Sequence, residues 1–426
     1  MASFSFGAGN AAKLARLPLY AAGRLATLVV PRTRGRSADL WVFGCAVGIA
    51  DGALALWDVA AAHGERAVWL VADAAQATDA SARGIPHVPK HSLRGFWLTA
   101  RARVVVVTHG FGDVNRYATH GAFVVQLWHG IPLKRIGLDS PETLRPPAVL
   151  GRGRLARLTR RALRFLYTRT ARGIGLIPAA SHTVRGRLES AFGLPDERVA
   201  VTGEPRVDVL SRGSTPERRA VARRRIEELG GALGPQTRLV LYAPTWRDGE
   251  PDPAVPSAEE WRELVETLTR RDAVLLVRSH PLGAGEYAPP TPTERVRGLG
   301  SDVVTDVTPL LSGLDALVTD YSSLVFDASL VPLPVVFLAP DVEAYARRRG
   351  FYGTYADVAG TDAVADWPAA TRRLDALLGD PEVEAAALAR SRDLDARVHA
   401  FRDGQNTIRV YRAILAGLAG RERGRG

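Results

Sequence analysis

Cysteine is nearly missing: Cys45 is the only one in 426 residues. That excludes a disulfide framework and any multi-cysteine metal site. No run of 18 apolar residues is free of charge, so a membrane-spanning helix is not expected. HExxH and CxxC motifs are missing, as is any close Asp/His cluster, so no metal site is expected. A Walker P-loop and a well-placed GxGxxG are missing too. Any phosphate handling must rest on helix ends, histidines and arginines. Lysine is scarce as well. Lys13, Lys90 and Lys134 are the only three, and every other basic residue is arginine.

What is present is ordinary for a globular chain: 46% apolar and 24% charged residues. Disorder over most of the length is excluded. The length suits two domains of roughly 200 residues each. The charge is +11, from 56 basic and 45 acidic residues. Two stretches carry basic residues and no acid. Residues 13–36 include Lys13, Arg16 and Arg24, and residues 151–173 include Arg154, Arg157, Arg160, Arg161 and Arg164. Both interleave charge with leucine and aromatic residues.

Residues 1–37 read as a basic amphipathic lead-in. Arg24 interrupts its apolar stretch and no clean cleavage site follows, so it is expected to be retained. Apolar runs then alternate with helical patterns. Strands are expected at Ala38–Phe43, Ala67–Val71, Arg103–Thr108, Ala122–Leu127, Ile174–Ala179 and Arg198–Thr202, with a helix over Gly52–His63. The stretch 207–236 is rich in Arg, Glu, Gly and Pro and reads as the inter-domain connection. A second set follows at Leu239–Ala243, Ala273–Val277, Ala316–Thr319 and Val335–Leu338, with helices near 258–270, 323–331 and 341–349. The expectation is α/β: two Rossmann-like doubly wound domains, at 38–215 and 216–426, with a cleft between them. The last helix, near 404–419, could pack back against the first domain. In such sheets ligands bind beyond the carboxyl ends of the strands.

Several polar residues fall at those ends. Trp128-His129-Gly130-Ile131-Pro132-Leu133-Lys134 follows one strand, and its rare lysine suggests a point charge where a guanidinium fork would not fit. Arg278-Ser279-His280-Pro281 follows another. Asp320-Tyr321-Ser322-Ser323 leads from a strand into a helix carrying Asp327, where free backbone amides and the helix dipole favour phosphate. The plain alternative there is a serine N-cap without a ligand. Pro244-Thr245-Trp246-Arg247-Asp248 and Thr202-Gly203-Glu204-Pro205-Arg206-Val207-Asp208 each add an arginine on a loop.

Together these blocks resemble the CDP-glycerol glycerophosphotransferases, a family that includes teichoic-acid primases and polymerases. The resemblance runs from Gln126–Gly137 through Thr202–Asp208, Leu241–Asp248 and His280-Pro281. It continues in Thr319–Ser323 with Phe326-Asp327, and in Tyr345, Arg349–Tyr352 and Asp403-Gly404. It departs at Glu204, Val207, Ala328, Leu333 and Ala359-Gly360. The resemblance implies a GT-B-like pair of domains, with a CDP-linked donor on the second and a lipid-linked glycan or polyol-phosphate acceptor on the first. It implies transfer of a polyol phosphate, most simply glycerol phosphate, onto an acceptor hydroxyl with release of CMP. It also implies peripheral attachment to the cytoplasmic face of the membrane. The basic amphipathic stretches, 151–173 above all, fit an anionic membrane surface.

Under that reading His129 is the expected base and His280 contacts the pyrophosphate. Ser322 and Ser323 hold phosphate oxygens, and Arg206, Arg247 and Arg278 neutralise charge. Thr245, Thr319, Asp320, Asp327 and Asp403 belong to the donor pocket. Lys134, Arg206 and Asp208 belong to the acceptor side or cleft. No cofactor is required, which leaves room for an assisting divalent metal ion. The enzymatic alternative is a GT-B glycosyltransferase using a nucleotide sugar, since the fold does not fix the chemistry. A nucleic-acid partner is not expected: no such binding motif is present, and the strand-end histidines would go unexplained.

Overall fold

The computed structural model describes residues 17–34, 39–146, 153–245, 247, 252–278 and 287–423. The described residues form two compact units. The first takes those within 1–129, 135–208 and 405–426, and the second those within 130–134 and 209–404. The division falls at 208/209, against the 215/216 expected from the sequence.

The first unit is built on seven parallel strands: β1 Leu40–Phe43, β2 Arg66–Val71, β3 His87–Pro89, β4 Val104–Val107, β5 Phe123–Gln126, β6 Ile174–Ala179 and β7 Val199–Val201. Their order is β3-β2-β1-β4-β5-β6-β7. The valine run of β4 is buried on both faces, as a central parallel strand must be. Trp41, Phe43, Trp57 and Trp69 fill the core on one side of the sheet. The last helix, Asn406–Arg423, belongs to this unit: Tyr411 stacks on Trp41 at 5.7 Å and its hydroxyl donates to Glu65 at 2.9 Å.

The second unit carries β8 Arg238–Ala243, β9 Ala273–Val277, β10 Val296–Gly298, β11 Ala316–Thr319 and β12 Val335–Phe337, ordered β10-β9-β8-β11-β12 and all parallel. Trp261, Leu264, Leu268 and Trp367 cover one face of this sheet.

The stretch expected as a connection is not a linker. Residues Thr215–Gly230 form a helix of the second unit, and Ala222 and Ile226 are its buried positions. Its start is a reciprocal cap: Ser214 Oγ accepts the Glu217 amide, and the Glu217 carboxylate accepts the Ser214 amide at 2.9 Å. Composition suggested a loop, but the capping residues mark a helix N-terminus. Helices over Ala74–Ala82, Leu93–Arg101, Trp367–Gly379 and Pro381–Val398 are further elements that the sequence reading did not place.

Both sheets reverse strand order at one point. In the first unit it lies between β1 and β4, and in the second between β8 and β11. Ligand crevices of doubly wound sheets open beyond the carboxyl ends of such strand pairs.

Candidate active site

The first unit places two histidines on adjacent loops. β4 and β5 pair in register, Val107 against Gln126, so the segments that follow leave the sheet side by side. Thr108-His109 follows β4, and Leu127-Trp128-His129 follows β5. The rings of His109 and His129 lie face to face, 4.3 Å apart and 3° from parallel. Trp128 holds φ at +62°, and its ring lies 4.3 Å from His129. A bulky side chain in the left-handed region costs about 1–2 kcal/mol, the kind of strain that collects at functional positions.

His129 is half-buried, and its Nδ1 lies 3.4 Å from the Thr108 carbonyl oxygen. A carbonyl only accepts, so Nδ1 carries the hydrogen and the neutral ring keeps Nε2 bare. Burial, then the neighbouring His109, hold the His129 pKa well below its ordinary value. The ring is therefore neutral and able to take a proton at physiological pH.

Asp113 shapes the loop beneath these rings. Its Oδ2 accepts the backbone amides of Thr108 at 2.9 Å, His109 at 2.7 Å and Gly110 at 3.3 Å. Burial raises the pKa of this carboxyl, while His109 and the three amides oppose the rise. Across the strand switch, Asp51 heads the helix Asp51–Ala62 with φ at +63° and pairs with Arg206 Nε at 3.1 Å. Arg206 thus stands in the first unit at this strand end.

Asp208 has a different task from the one expected. It is buried, and its carboxylate accepts the Asn406 amide at 2.9 Å, the Thr407 amide at 2.9 Å and the Thr407 hydroxyl at 2.6 Å. It fixes the N-terminus of the last helix and is not presented to a ligand. Gly203 of the same block holds φ at +76°, and a Cβ there would fall 2.0 Å from Asn406 Oδ1. The glycine is needed for that close approach.

In the second unit Asp320 ties the two switch loops together. Its Oδ1 accepts the amides of Thr245 at 2.9 Å and Tyr321 at 2.6 Å, and its Oδ2 pairs with Arg247 at 2.7 Å. Thr319 Oγ1 donates to the Ala243 carbonyl at 2.7 Å. Arg247 also forms a two-pronged pair with Asp341, at 3.1 and 3.0 Å, and lies over the rings of Tyr321 and Tyr345. Two carboxylates already neutralise this buried guanidinium. Arg247, Thr319 and Asp320 therefore shape the loops and are not free phosphate ligands.

Two further expectations change. Arg278 turns back onto its own neighbourhood, donating to the carbonyls of Leu299 at 3.2 Å, Val304 at 2.8 Å and Thr305 at 3.1 Å. Asp327 is buried in the unit, where its field reaches the buried His399. Ser323 makes no capping bond, whereas Ser322 Oγ accepts the Leu324 amide at 3.2 Å. Both serines remain half-buried, at the start of the short helix Leu324–Ser329. Asp403 is exposed. His280 lies outside the described residues.

Lys134 is bound into the second unit by an antiparallel bridge to Phe351, and the neighbouring Tyr352 amide donates to the Leu133 carbonyl at 3.0 Å. The ammonium makes no hydrogen bond to any described residue. Burial pushes its pKa down to about 8, against the opposing pull of Asp320. Half-buried and without a hydrogen-bond partner among the described residues, it is a cation that could meet an anion.

Sequence reasoning missed His109, Asp51, Asp113 and Asp341. The signal for His109 was present, because Thr108-His109-Gly110 follows a valine strand just as Trp128-His129-Gly130 does. Among the described residues no group of three or more His, Cys, Asp or Glu could hold a metal ion.

The chain is similar to the teichoic acid glycerol-phosphate transferase of Staphylococcus aureus (strain NCTC 8325 / PS 47), 29% identical over 282 residues, covering 64% of this chain and 66% of that protein. It is 26% identical over 279 residues to the teichoic acid poly(glycerol phosphate) polymerase of Bacillus subtilis (strain 168), covering 63% of this chain but only 34% of that protein. The chain thus spans under two thirds of the first protein's length and about a third of the second's. The fold matches the solved wall teichoic acid polymerase TagF with a TM-score of 0.72 at 20% identity, covering 94% of this chain and 98% of that one. The GT-B-like class expected from the sequence is therefore the observed one. Residues 46–416, the span that holds both strand-end sites, match the CDP-Glycerol:Poly(glycerophosphate) glycerophosphotransferase model, and the chain belongs to that family.

Proposed function

We propose that this protein moves glycerol phosphate from CDP-glycerol to a hydroxyl of a lipid-linked acceptor and releases CMP. The observation that carries the reading is His129. It is a neutral imidazole with Nδ1 directed to a carbonyl and Nε2 bare, at the carboxyl end of a parallel strand, in a chain of this family. Attack on the β-phosphorus of the donor needs a base at the acceptor hydroxyl and positive charge at the diphosphate. His129 takes the hydroxyl proton in this proposal. Lys134 faces the phosphates as a point charge, and Ser322 and Ser323 offer hydroxyl donors. Asp320, Arg247 and Asp341 hold the loops that carry them. Arg206, paired with Asp51, fixes the loop at the first unit's strand switch. His280 is kept as a diphosphate contact on the sequence resemblance alone. The reaction needs only donor and acceptor, and a divalent ion could still assist.

The proposal extends to the cytoplasmic membrane surface. The helix Arg154–Ala171 buries Ala156, Leu163, Tyr167 and Ala171 against its own unit. Leu155, Leu158, Phe165 and Leu166 point outward, each at least 42% exposed, among arginines. An exposed apolar stripe flanked by cations suits an anionic bilayer. No described helix is long and apolar enough to cross a membrane.

The test is CMP release from CDP-glycerol and from CDP-ribitol, each with and without a short lipid-linked acceptor. Acceptor-dependent CMP from CDP-glycerol supports the proposal. CMP from CDP-ribitol alone would change the named polyol, and no CMP from either donor would overturn the reading.

A further inference from the structure

His109 is buried, and none of the steps above uses it. Thr108 links it to His129 through two different atoms. Its carbonyl oxygen lies 3.4 Å from His129 Nδ1, and its hydroxyl oxygen lies 2.8 Å from His109 Nδ1. The Thr108 hydroxyl has two further acceptors in reach, Cys45 Sγ at 3.1 Å and Asp113 Oδ2 at 3.4 Å; with its hydrogen given to either, His109 Nδ1–H is the donor to Thr108. Both rings are thus pinned to one residue, and they meet face to face at 4.3 Å. Two rings held parallel over a shared anchor constrain each other's plane. Backbone bonds from Thr108, His109 and Gly110 to Asp113 lock that anchor.

We propose that His109 is a positioning residue for the transfer reaction, one that holds the plane and tautomer of His129 so that Nε2 stays the proton acceptor. This rests on the proposed role of His129.

The electrostatics run the same way. Two imidazolium rings at this distance repel, so the pair accepts one proton far more readily than two. Burial lowers the His109 pKa, the carboxylates of Asp113 and Asp51 oppose that by favouring charge on it, and the guanidinium of Arg206 adds to it. His129 faces His109 and Arg206, both of which oppose charge on it. The Cys45 thiol, another titratable neighbour, is held protonated by burial. The first proton therefore goes to His109, and His129 remains a free base to lower pH.

The experiment uses the full chain with 15N-labelled histidine and two variants. His109→Ala removes both the ring face and the second imidazole, while His109→Phe keeps a ring face without the proton site. The His129 resonances are assigned by their loss in His129→Gln. His109→Phe is expected to raise the His129 titration midpoint by about one pH unit or more, since a nearby like charge is gone. The acid limb of kcat should move up with it. His109→Ala is expected to lower kcat by about 10- to 100-fold, with donor KM within about twofold of wild type. His109→Phe should recover most of that loss above the shifted limb. An unchanged His129 midpoint and tautomer in both variants overturns the proposal. So does a His109→Ala loss that falls mainly on KM. Should wild type release no CMP, the transfer reading fails separately, and the resonances still decide whether the two rings are coupled.

Discussion

Asp208→Ala offers a sharp test of how the structure separates scaffold from chemistry. The carboxylate is 1% exposed and accepts three hydrogen bonds, from the amides of Asn406 and Thr407 and from the Thr407 hydroxyl. Asn406 and Thr407 are themselves 4% and 0% exposed, so truncation leaves three buried donors without an acceptor. A hydrogen bond to a charged group is worth about 1.5–3 kcal/mol, and an unsatisfied buried donor costs about 1–3 kcal/mol. Water entering the vacated space would recover part of this. The negative charge at the start of the last helix also adds a few tenths of a kcal/mol. The expected loss is about 3–5 kcal/mol, or about 10 °C in the melting temperature of a unit this size. Asp208→Asn keeps one acceptor oxygen and should lose about half as much. Calorimetry and urea unfolding measure the loss. Turnover per folded molecule should stay near wild type at low temperature. A melting temperature within 2 °C of wild type, with turnover abolished, would return Asp208 to the chemistry and refute the reasoning.

Lys134, with its pKa pushed down to about 8, is charged below that pH and neutral above it. Donor kcat/KM should therefore fall as pH rises through about 8, and a profile flat to pH 9.5 would count against a phosphate contact. Lys134→Met should remove this limb and raise donor KM about 10- to 100-fold, the worth of one charge-assisted bond. Leu158→Glu with Phe165→Glu should abolish co-sedimentation with vesicles containing anionic lipid and leave turnover on a water-soluble acceptor within twofold. Retained co-sedimentation would remove the helix Arg154–Ala171 from the membrane proposal.

Much of the fold was legible because its strands are apolar runs bounded by glycine or polar residues. Ile174–Ala179, Ala273–Val277 and Ala316–Thr319 were placed to the residue. The two missed strands, His87–Pro89 and Val296–Gly298, are three residues long and mix polar or glycine positions into the run. The helix Thr215–Gly230 was read as a connection because arginine and glutamate dominate it, although Ser214 and Glu217 mark its start. In the site, position was more legible than role. His129 and Lys134 stood out by residue type and by their place after a strand. Arg247 and Arg278 were expected to meet phosphate, yet one pairs with a carboxylate 94 residues away and the other with carbonyls of a nearby loop. No spacing in the chain reveals where a long side chain turns. Asp341 was missed for the same reason.

The most direct measurement of the central claim is single-turnover CMP release by wild type and by His129→Ala, with CDP-glycerol and a lipid-linked acceptor. The account predicts acceptor-dependent release by wild type and a loss of about a hundredfold or more in the folded variant. Release by His129→Ala at near the wild-type rate would contradict it.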